Sequence, residues 1–363
     1  MKNFYNNKRV FITGNTGFKG AWLSLWLSHM GARVFGYSDC VPTVPALFDC
    51  VPNRVIETQF GDICDFDKVS ATLNQVKPDI IFHLAAQPIV SNSVSDPVNT
   101  FRSNSLGMAV LLDAIRGLDF PVNTVLITSD KCYENINTFY GYRETDALGG
   151  KDPYSASKAC AELIFKSYFS TYFNNQSEKR FAVARAGNVI GGGDWSQDRI
   201  VVDTFKSWIA GKDVEIRMPN ATRPWQHVLE PLSGYLHLGH MLSKDANLNG
   251  EAFNFGPVAE QNKTVLELLR AMASYVDDFT CGIKIQESDF FNEAKLLKLN
   301  CEKAEMFLNW RPTLDFSECC KFVTDWYQYY AKNDSAPNLL SFSKEQIVAY
   351  ENRAREKSLA WAE

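Results

Sequence analysis

A doubly wound parallel α/β sheet with a smaller C-terminal α/β lobe is the fold class that this 363-residue chain predicts. Three observations predict it. Short β-branched runs alternate with longer helical stretches through the first half; a glycine-rich turn follows the first of those runs; and beyond about residue 190 the alternation gives way to Gly-, Trp- and Pro-rich connections such as GGGDW and RPW.

The strands are expected at 8–13 (KRVFIT), 33–37 (RVFGY), 79–85 (DIIFHLA), 124–129 (TVLITS) and 180–186 (RFAVARA), with a further possible strand before GDICD at 61–65. Their continuous apolar character is that of parallel strands covered on both faces. Helices are expected at about 18–30, 66–76, 97–117 and 153–174. Gly31 stands at the C′ position of the first, and Asp152-Pro153 opens the last as N-cap and first helical residue. This places a dinucleotide-binding domain over 1–190, to which a segment near 225–257 returns, and a mainly substrate-binding lobe over 191–363. From about Ser335 the chain is polar except for one amphipathic helical candidate, SKEQIVAYENRAREKSLAW.

Composition narrows the function classes. The 45% hydrophobic and 22% charged content is that of a soluble globular protein, and no window approaches the ~18 apolar residues that span a bilayer. The segment MKNFYNNKRVFITG lacks an apolar signal region, so a cytoplasmic enzyme is expected. Nine scattered cysteines, odd in number and without a C-x-x-C spacing, read as reduced thiols. His237 and His240 sit three apart with no cysteine or acid close in sequence, so no metal is expected. A net charge of −5 without a basic run argues against a nucleic-acid partner.

In ITGNTGFKGAW, Gly14, Gly17 and Gly20 follow the first strand and open a helix. They would give a tight turn, close approach of a pyrophosphate and close helix-to-strand packing, at a helix N-terminus that favours anions. The whole turn, Gly14, Asn15, Thr16, Gly17, Phe18, Lys19 and Gly20, is therefore assigned to a dinucleotide in a Rossmann-type sheet. Asp39, just after the second strand, would accept from the ribose hydroxyl and repel a 2′-phosphate, which favours NAD over NADP. Asp62 and Ile63 could hold the adenine, or be a loop acid and a core residue. Leu84, Ala85 and Ala86 would let a cofactor lie against the backbone, although small residues also serve tight packing.

DPYSASK puts Tyr154 and Lys158 four apart at the start of a helix, hence on one face. A phenol is a poor base at neutral pH, but a nearby ammonium and a cationic nicotinamide both favour the phenolate. The strand ending in Thr128 runs straight into Ser129, Asp130, Lys131 and Tyr133. Open α/β sheets bind their ligands at such strand ends.

The stretches FITGNTGFKGAWLSLWL, TSDKCYEN, GYRETDALGGKDPYSASKACAEL, RAGNVIGGGDW and NATRPWQHVLEPLSGYL resemble the extended short-chain dehydrogenase/reductase superfamily, and within it the nucleotide-sugar 4,6-dehydratases, over about residues 7–330. Close relatives carry Thr-Asp-Glu where this chain has Ser129-Asp130-Lys131, and the lysine is a feature of the branch acting on CDP-glucose. The resemblance implies tightly held NAD and a nucleotide-sugar substrate. Tyr154 would deprotonate the hexose 4-hydroxyl, with Lys158 in support and Ser129 holding the 4-oxygen. Asp130 would protonate the leaving C6 hydroxyl, and Lys131, Glu134 or a water would take the C5 proton. Asn104 would match a cofactor-side helix asparagine, or be a helix-surface amide. Asn188 and Arg223 would meet the diphosphate. Gln87, Trp195, Arg199 and Gln226 complete the substrate set, with core packing as the alternative for Trp195 and Trp225 and aromatic stacking for Arg223. A homodimer or dimer-based tetramer pairing through about 97–117 and 153–174 is also implied. The rival readings are another dehydratase or a 4-epimerase of the same superfamily, and a non-catalytic NAD-binding regulator.

Overall fold

The computed structural model describes the chain except residues 53–54, 217, 259–261, 278–281, 286–296 and 334. Cys281 lies outside the described residues; the eight cysteines within them are free thiols.

Seven parallel strands form the central sheet in the order β11-β6-β5-β4-β1-β2-β3. The strands are β1 Arg9–Thr13, β2 Arg33–Ser38, β3 Ile56–Phe60, β4 Ile80–His83, β5 Val122–Ile127, β6 Lys179–Ala186 and β11 Ala252–Phe255. Central strands have no solvent face, which is why they are apolar at consecutive rather than alternate positions: Val10, Phe11 and Ile12 are all fully buried. Their register sets Val10 beside Val34 on one side and Ile80 on the other.

After a short α1 (Lys2–Tyr5), helices cover both faces. On one lie α2 (Phe18–His29) and α9 (Leu229–Lys244), packed through Trp22, Leu25, Leu232 and Leu236. On the other lie α3 (Phe66–Val76), α6 (Gly107–Arg116) and α7 (Pro153–Tyr168), packed through Val69, Leu73, Leu111, Leu112, Ala161 and Phe165. Short α4 (Val90–Ser95) and α5 (Pro97–Phe101) precede α6, and the helix expected over 97–117 is divided by one wide i→i+5 turn at Arg102–Leu106. The start of α7 is fixed locally: Asp152 Oδ1 accepts from Ser155 N at 2.9 Å and Pro153 occupies the first turn, where its missing N–H costs nothing.

The remaining elements are shorter and lie outside the central sheet. Two-stranded pairs join β7 (Val189–Ile190) to β10 (Gln226–His227), β8 (Val214–Ile216) to β13 (Ile283–Ile285), and β9 (Thr222–Pro224) to β12 (Asn262–Thr264). With them are α8 (Ile200–Ile209), α10 (Val265–Ala273), α11 (Glu302–Leu308) and α12 (Phe316–Lys332). The polar end of the chain forms α13 (Ala336–Glu356), which lies back on α2: Trp26 Nε1 donates to Glu351 Oε1 at 2.7 Å, and Tyr350 donates to the buried Glu230 at 2.9 Å. Among the described residues no helix is long and apolar enough to cross a membrane.

Candidate active site

In a sheet of this order the chain leaves β1 toward β2 on one side and returns as β4 on the other, opening a crevice at their carboxyl ends. The glycine turn lies there. Gly14 has φ +74°, and a Cβ on it would stand 2.7 Å from Ala85 N; a Cβ on Gly20 would stand 2.1 Å from the Gly14 carbonyl oxygen. Both positions are glycine because the backbone is already in contact. Gly17 differs, since a Cβ there would find its nearest neighbour at 3.5 Å. It leaves bare backbone at the start of α2, which no side chain caps, facing a small cleft lined also by Thr16, Phe18, Asp194 and Trp195. Uncapped N–H groups at a helix start, with space in front that a side chain would fill, fit a pyrophosphate.

The polar side chains of the turn face inward. Asn15 accepts from Ser38 Oγ at 2.9 Å and donates to Thr58 Oγ1 at 2.8 Å, and Thr16 donates to the Cys40 carbonyl at 2.6 Å. They tie the turn to β2 and β3, so its anion-facing groups are backbone. Asp39 is exposed just beyond β2, accepting from Cys40 N at 2.8 Å. Asp62 pairs with Arg102 at 2.5 Å, whereas Ile63 is a core residue whose side chain fills the space left by Gly107. Leu84 N and Ala85 N hang from Thr13, at 3.0 Å to its carbonyl and 3.2 Å to its Oγ1, and with Ala86 they form a half-buried floor.

Two expected contacts turn out to be internal. Gln87 donates to Thr100 Oγ1 at 2.9 Å and accepts from Ile89 N at 2.5 Å, so both ends of its amide have protein partners. Asn104, expected on the cofactor side or on a helix surface, is buried. It accepts from Gln87 N at 2.8 Å and donates to Ser157 Oγ at 2.9 Å, so it braces the loop after β4 against α7 between Tyr154 and Lys158.

The chain leaving β5 brings the reactive side chains together. Ser129 starts a single helical turn, Asp130–Cys132; its Oγ donates to Asp130 Oδ1 at 3.0 Å and accepts from Lys131 N at 3.3 Å, and it lies close enough to Tyr154 to favour the phenolate. Tyr154 and Lys158 are both buried on the inner face of α7. Burial pushes the Tyr154 phenol up to about 12, against the pull of Ser129, and Asp130 adds to the rise. Burial likewise pushes the Lys158 amine down to about 8, although Cys132 and Glu162 hold it up. The Asp130 carboxyl is raised above the ordinary carboxylate range by burial, opposed by Lys131, Ser129, Lys19 and Arg223. A site holding a carboxyl raised by burial beside a phenol and an amine lowered toward neutrality is equipped for acid–base chemistry. Glu134 is exposed just past the turn.

Lys19 reaches this centre from the phosphate turn. Loss of water, followed by the charges of Arg199 and Lys158, pushes its amine down to about 7. Arg199 pairs with buried Asp194 at 3.3 Å and is close enough to Tyr154 to lower its pKa. Arg223, half-buried, donates to the Thr222 carbonyl at 2.9 Å. Asn188 accepts from Gln226 N through its carbonyl at 3.2 Å. Gln226 is buried, donates to the Phe255 carbonyl at 3.1 Å, and leaves Oε1 without a hydrogen-bond partner among the described residues beside a cavity lined also by Gly187, Pro224, Asn262 and Lys298. Trp195 is largely a core residue, with ring centroids 5.4 Å from Tyr327 and 4.7 Å from Tyr330; one edge reaches the cavity over the phosphate turn. Trp225 is buried too, donating to the Lys263 carbonyl at 3.0 Å.

Sequence reasoning missed Glu162 and Arg185, which form a wholly buried ion pair behind the site. Two signals were available: an arginine inside the apolar run RFAVARA, and a glutamate one further helical turn along the face that carries Tyr154 and Lys158.

Residues 11–323 match the family described as GDP-mannose 4,6 dehydratase. The CDP-glucose 4,6-dehydratase of Salmonella typhimurium is 42% identical over 354 residues, covering 96% of this chain and 98% of that protein. Among solved structures, an epimerase from Methanothermobacter thermautotrophicus superposes with a TM-score of 0.80 at 22% identity, covering 91% of this chain and 95% of its own. The dTDP-glucose 4,6-dehydratase of Bacillus anthracis, in complex with NAD, does so with a TM-score of 0.73 at 19% identity, covering 90% and 97%. With most of its length matched by the family and near-complete coverage at that identity, the chain belongs to the GDP-mannose 4,6 dehydratase family.

Proposed function

We propose that this protein is an NAD-dependent CDP-glucose 4,6-dehydratase, a hydro-lyase that converts CDP-glucose into CDP-4-dehydro-6-deoxyglucose. The observation that carries the reading is the buried Asp130 carboxyl, held by Ser129 next to Tyr154. A 4-epimerase shares the need for Tyr154 and Lys158 but has no use for an acid aimed at a C6 hydroxyl, and a non-catalytic regulator needs neither. The 42% identity to the Salmonella enzyme supports the cytidine nucleotide and the glucose.

Gly14, Gly17 and Gly20 would hold the cofactor diphosphate, with Asp39 toward the ribose and Thr128, Tyr154 and Lys158 toward the reactive end. When bound, NAD supplies a hydride acceptor for C4, a hydride donor for C6 and a positive charge beside the hexose. Tyr154, steadied by Lys158, takes the proton of the 4-hydroxyl while Ser129 holds that oxygen. The resulting 4-ketone acidifies C5–H, and Asp130 protonates the departing C6 hydroxyl as water leaves. Lys131, Glu134 or a water takes the C5 proton and returns it. Asn188 and Arg223 would meet the substrate diphosphate; the guanidinium fork suits that geometry. Asp62 beside Arg102 and the floor at Leu84–Ala86 would border the adenosine half.

Val98, Phe101, Leu106, Leu163 and Tyr172 are large apolar side chains exposed along the segment 97–106 and the α7 region, and support a dimer through these helices. Eight free cysteines among the described residues suit a reducing cytoplasm. The product is a precursor for deoxyhexoses of a cell-surface polysaccharide.

The test is CDP-glucose carrying deuterium at C4. The label should appear at C6 of the product. An epimerase would return it to C4 and a regulator would move none. Preference for dTDP-glucose over CDP-glucose would remove the nucleotide assignment while leaving the reaction in place.

A further inference from the structure

We infer that the buried Glu162–Arg185 pair is a positioning device that holds the catalytic helix α7 and the Ser129–Asp130–Lys131 turn in register. The inference rests on the dehydratase reading for its kinetic arm only. Arg185 and Glu162 are 0% and 1% exposed. The guanidinium meets the carboxylate with two parallel bonds, Nε to Oε1 at 2.7 Å and Nη2 to Oε2. Glu162 Oε1 also accepts from Thr128 Oγ1 at 2.6 Å, and Arg185 Nη1 donates to Tyr133 OH at 2.7 Å. Thr128 and Tyr133 bracket the catalytic turn, so one ion pair grips it at both ends. Glu162 stands one helical turn beyond Lys158 and two beyond Tyr154 on α7, so the same pair fixes the helix that presents both. The network continues outward. Tyr133 OH donates to Asn254 Oδ1 at 2.7 Å, and Asn254 Nδ2 donates to the carbonyls of Tyr142 at 2.9 Å and Asn300 at 3.0 Å, binding β11 and the segment at Asn300 to the same turn.

Stability alone does not account for such a pair. Taking two charges out of water offsets most of their attraction, and an apolar pair of equal volume commonly holds a core as well. What the forked bonds add is direction: they fix distance and angle together, which contacts between methyl groups do not. That matters where reacting groups displaced by about 1 Å lose ~100-fold in rate.

The test compares Glu162→Gln, Arg185→Gln and Tyr133→Phe, the last removing the hydroxyl that accepts from Arg185 and donates to Asn254 while leaving the ion pair itself in place. Below their melting temperatures, the first two should lower kcat by about 10- to 100-fold with KM and bound dinucleotide little changed, and Tyr133→Phe by a smaller factor. Amide hydrogen exchange should quicken at 129–133 and 155–158 while that of β1 and β4 is unchanged. Variants that melt earlier yet keep native kcat and native exchange at the turn would overturn the inference and leave the pair a structural support. Should the two ion-pair variants fail to fold, native kcat and exchange in Tyr133→Phe would overturn it equally. Wild-type protein that dehydrates no sugar nucleotide would refute the proposed function, and the exchange pattern, which needs no substrate, would still decide the positioning role.

Discussion

Ser129 Oγ donates to Asp130 Oδ1 at 3.0 Å, and Asp130 Oδ2 is buried without a hydrogen-bond partner among the described residues. One carboxylate oxygen is therefore fixed and the other is left for a ligand. Burial keeps the group inclined to hold a proton, which is the state a general acid needs. Asp130→Asn should still permit C4 oxidation, so reduced-nicotinamide absorbance should build up on adding substrate while product formation falls by about 10²- to 10⁴-fold. Near-native product formation would remove Asp130 from the acid role.

Tyr154→Phe should act one step earlier. It leaves the ring volume in place and removes the group proposed to take the 4-hydroxyl proton, so product should fall by at least about 10²-fold without any rise in reduced cofactor. The contrast between the two variants, measured on one spectrophotometer, separates oxidation from elimination.

Two glycines of the phosphate turn, Gly17 and Gly20, should separate as well. Gly17→Ala meets nothing closer than 3.5 Å, so it should fold with a nearly unchanged melting temperature yet retain less dinucleotide through purification. In Gly20→Ala the added carbon would lie 2.1 Å from the Gly14 carbonyl oxygen, and destabilisation of about 1–3 kcal/mol or more is expected from that overlap. Thermal unfolding together with nicotinamide released on acid denaturation reads both. Equal losses of stability would mean that the cradle at Gly17 serves packing.

Two buried histidines make stability depend on pH. His83, bonded to Thr13 at 2.7 Å, and His227, enclosed by Trp22 and Phe322, are each lowered to about 3 by burial. The unfolded chain protonates them near 6.5 and the folded chain does not. Between pH 6.5 and 3 the unfolded state therefore binds more protons, so their contribution is intact above 6.5 and declines as pH falls through the window. Each should add about 1.4 kcal/mol per pH unit to the slope. Urea unfolding from pH 7.5 to 5 should show a slope smaller by about one proton in His227→Phe than in wild type. An unchanged slope would show that His227 is already protonated in the folded protein.

How far the fold was legible follows from the range of each signal. The runs at Val10–Ile12 and Ile80–Phe82, the glycine spacing at 14, 17 and 20, and Tyr154 with Lys158 are read within a few residues, because backbone geometry and strand or helix period act over that distance. They determined the parallel sheet, the phosphate turn and the face of α7. The tertiary structure alone decided where side chains point. Gln87 and Asn104, expected toward ligands, are engaged with Thr100 and Ser157. Trp195 meets Tyr327 and Tyr330, more than a hundred residues away, and the polar C-terminal segment folds back on Trp26. The Glu162–Arg185 pair belongs to the same class, since its two halves meet only when α7 packs behind β6. Local patterns specify an element and its buried face, but a polar side chain on that face satisfies its hydrogen bonds with whichever distant group the assembled core brings within reach, and that choice exists only once the chain has closed on itself.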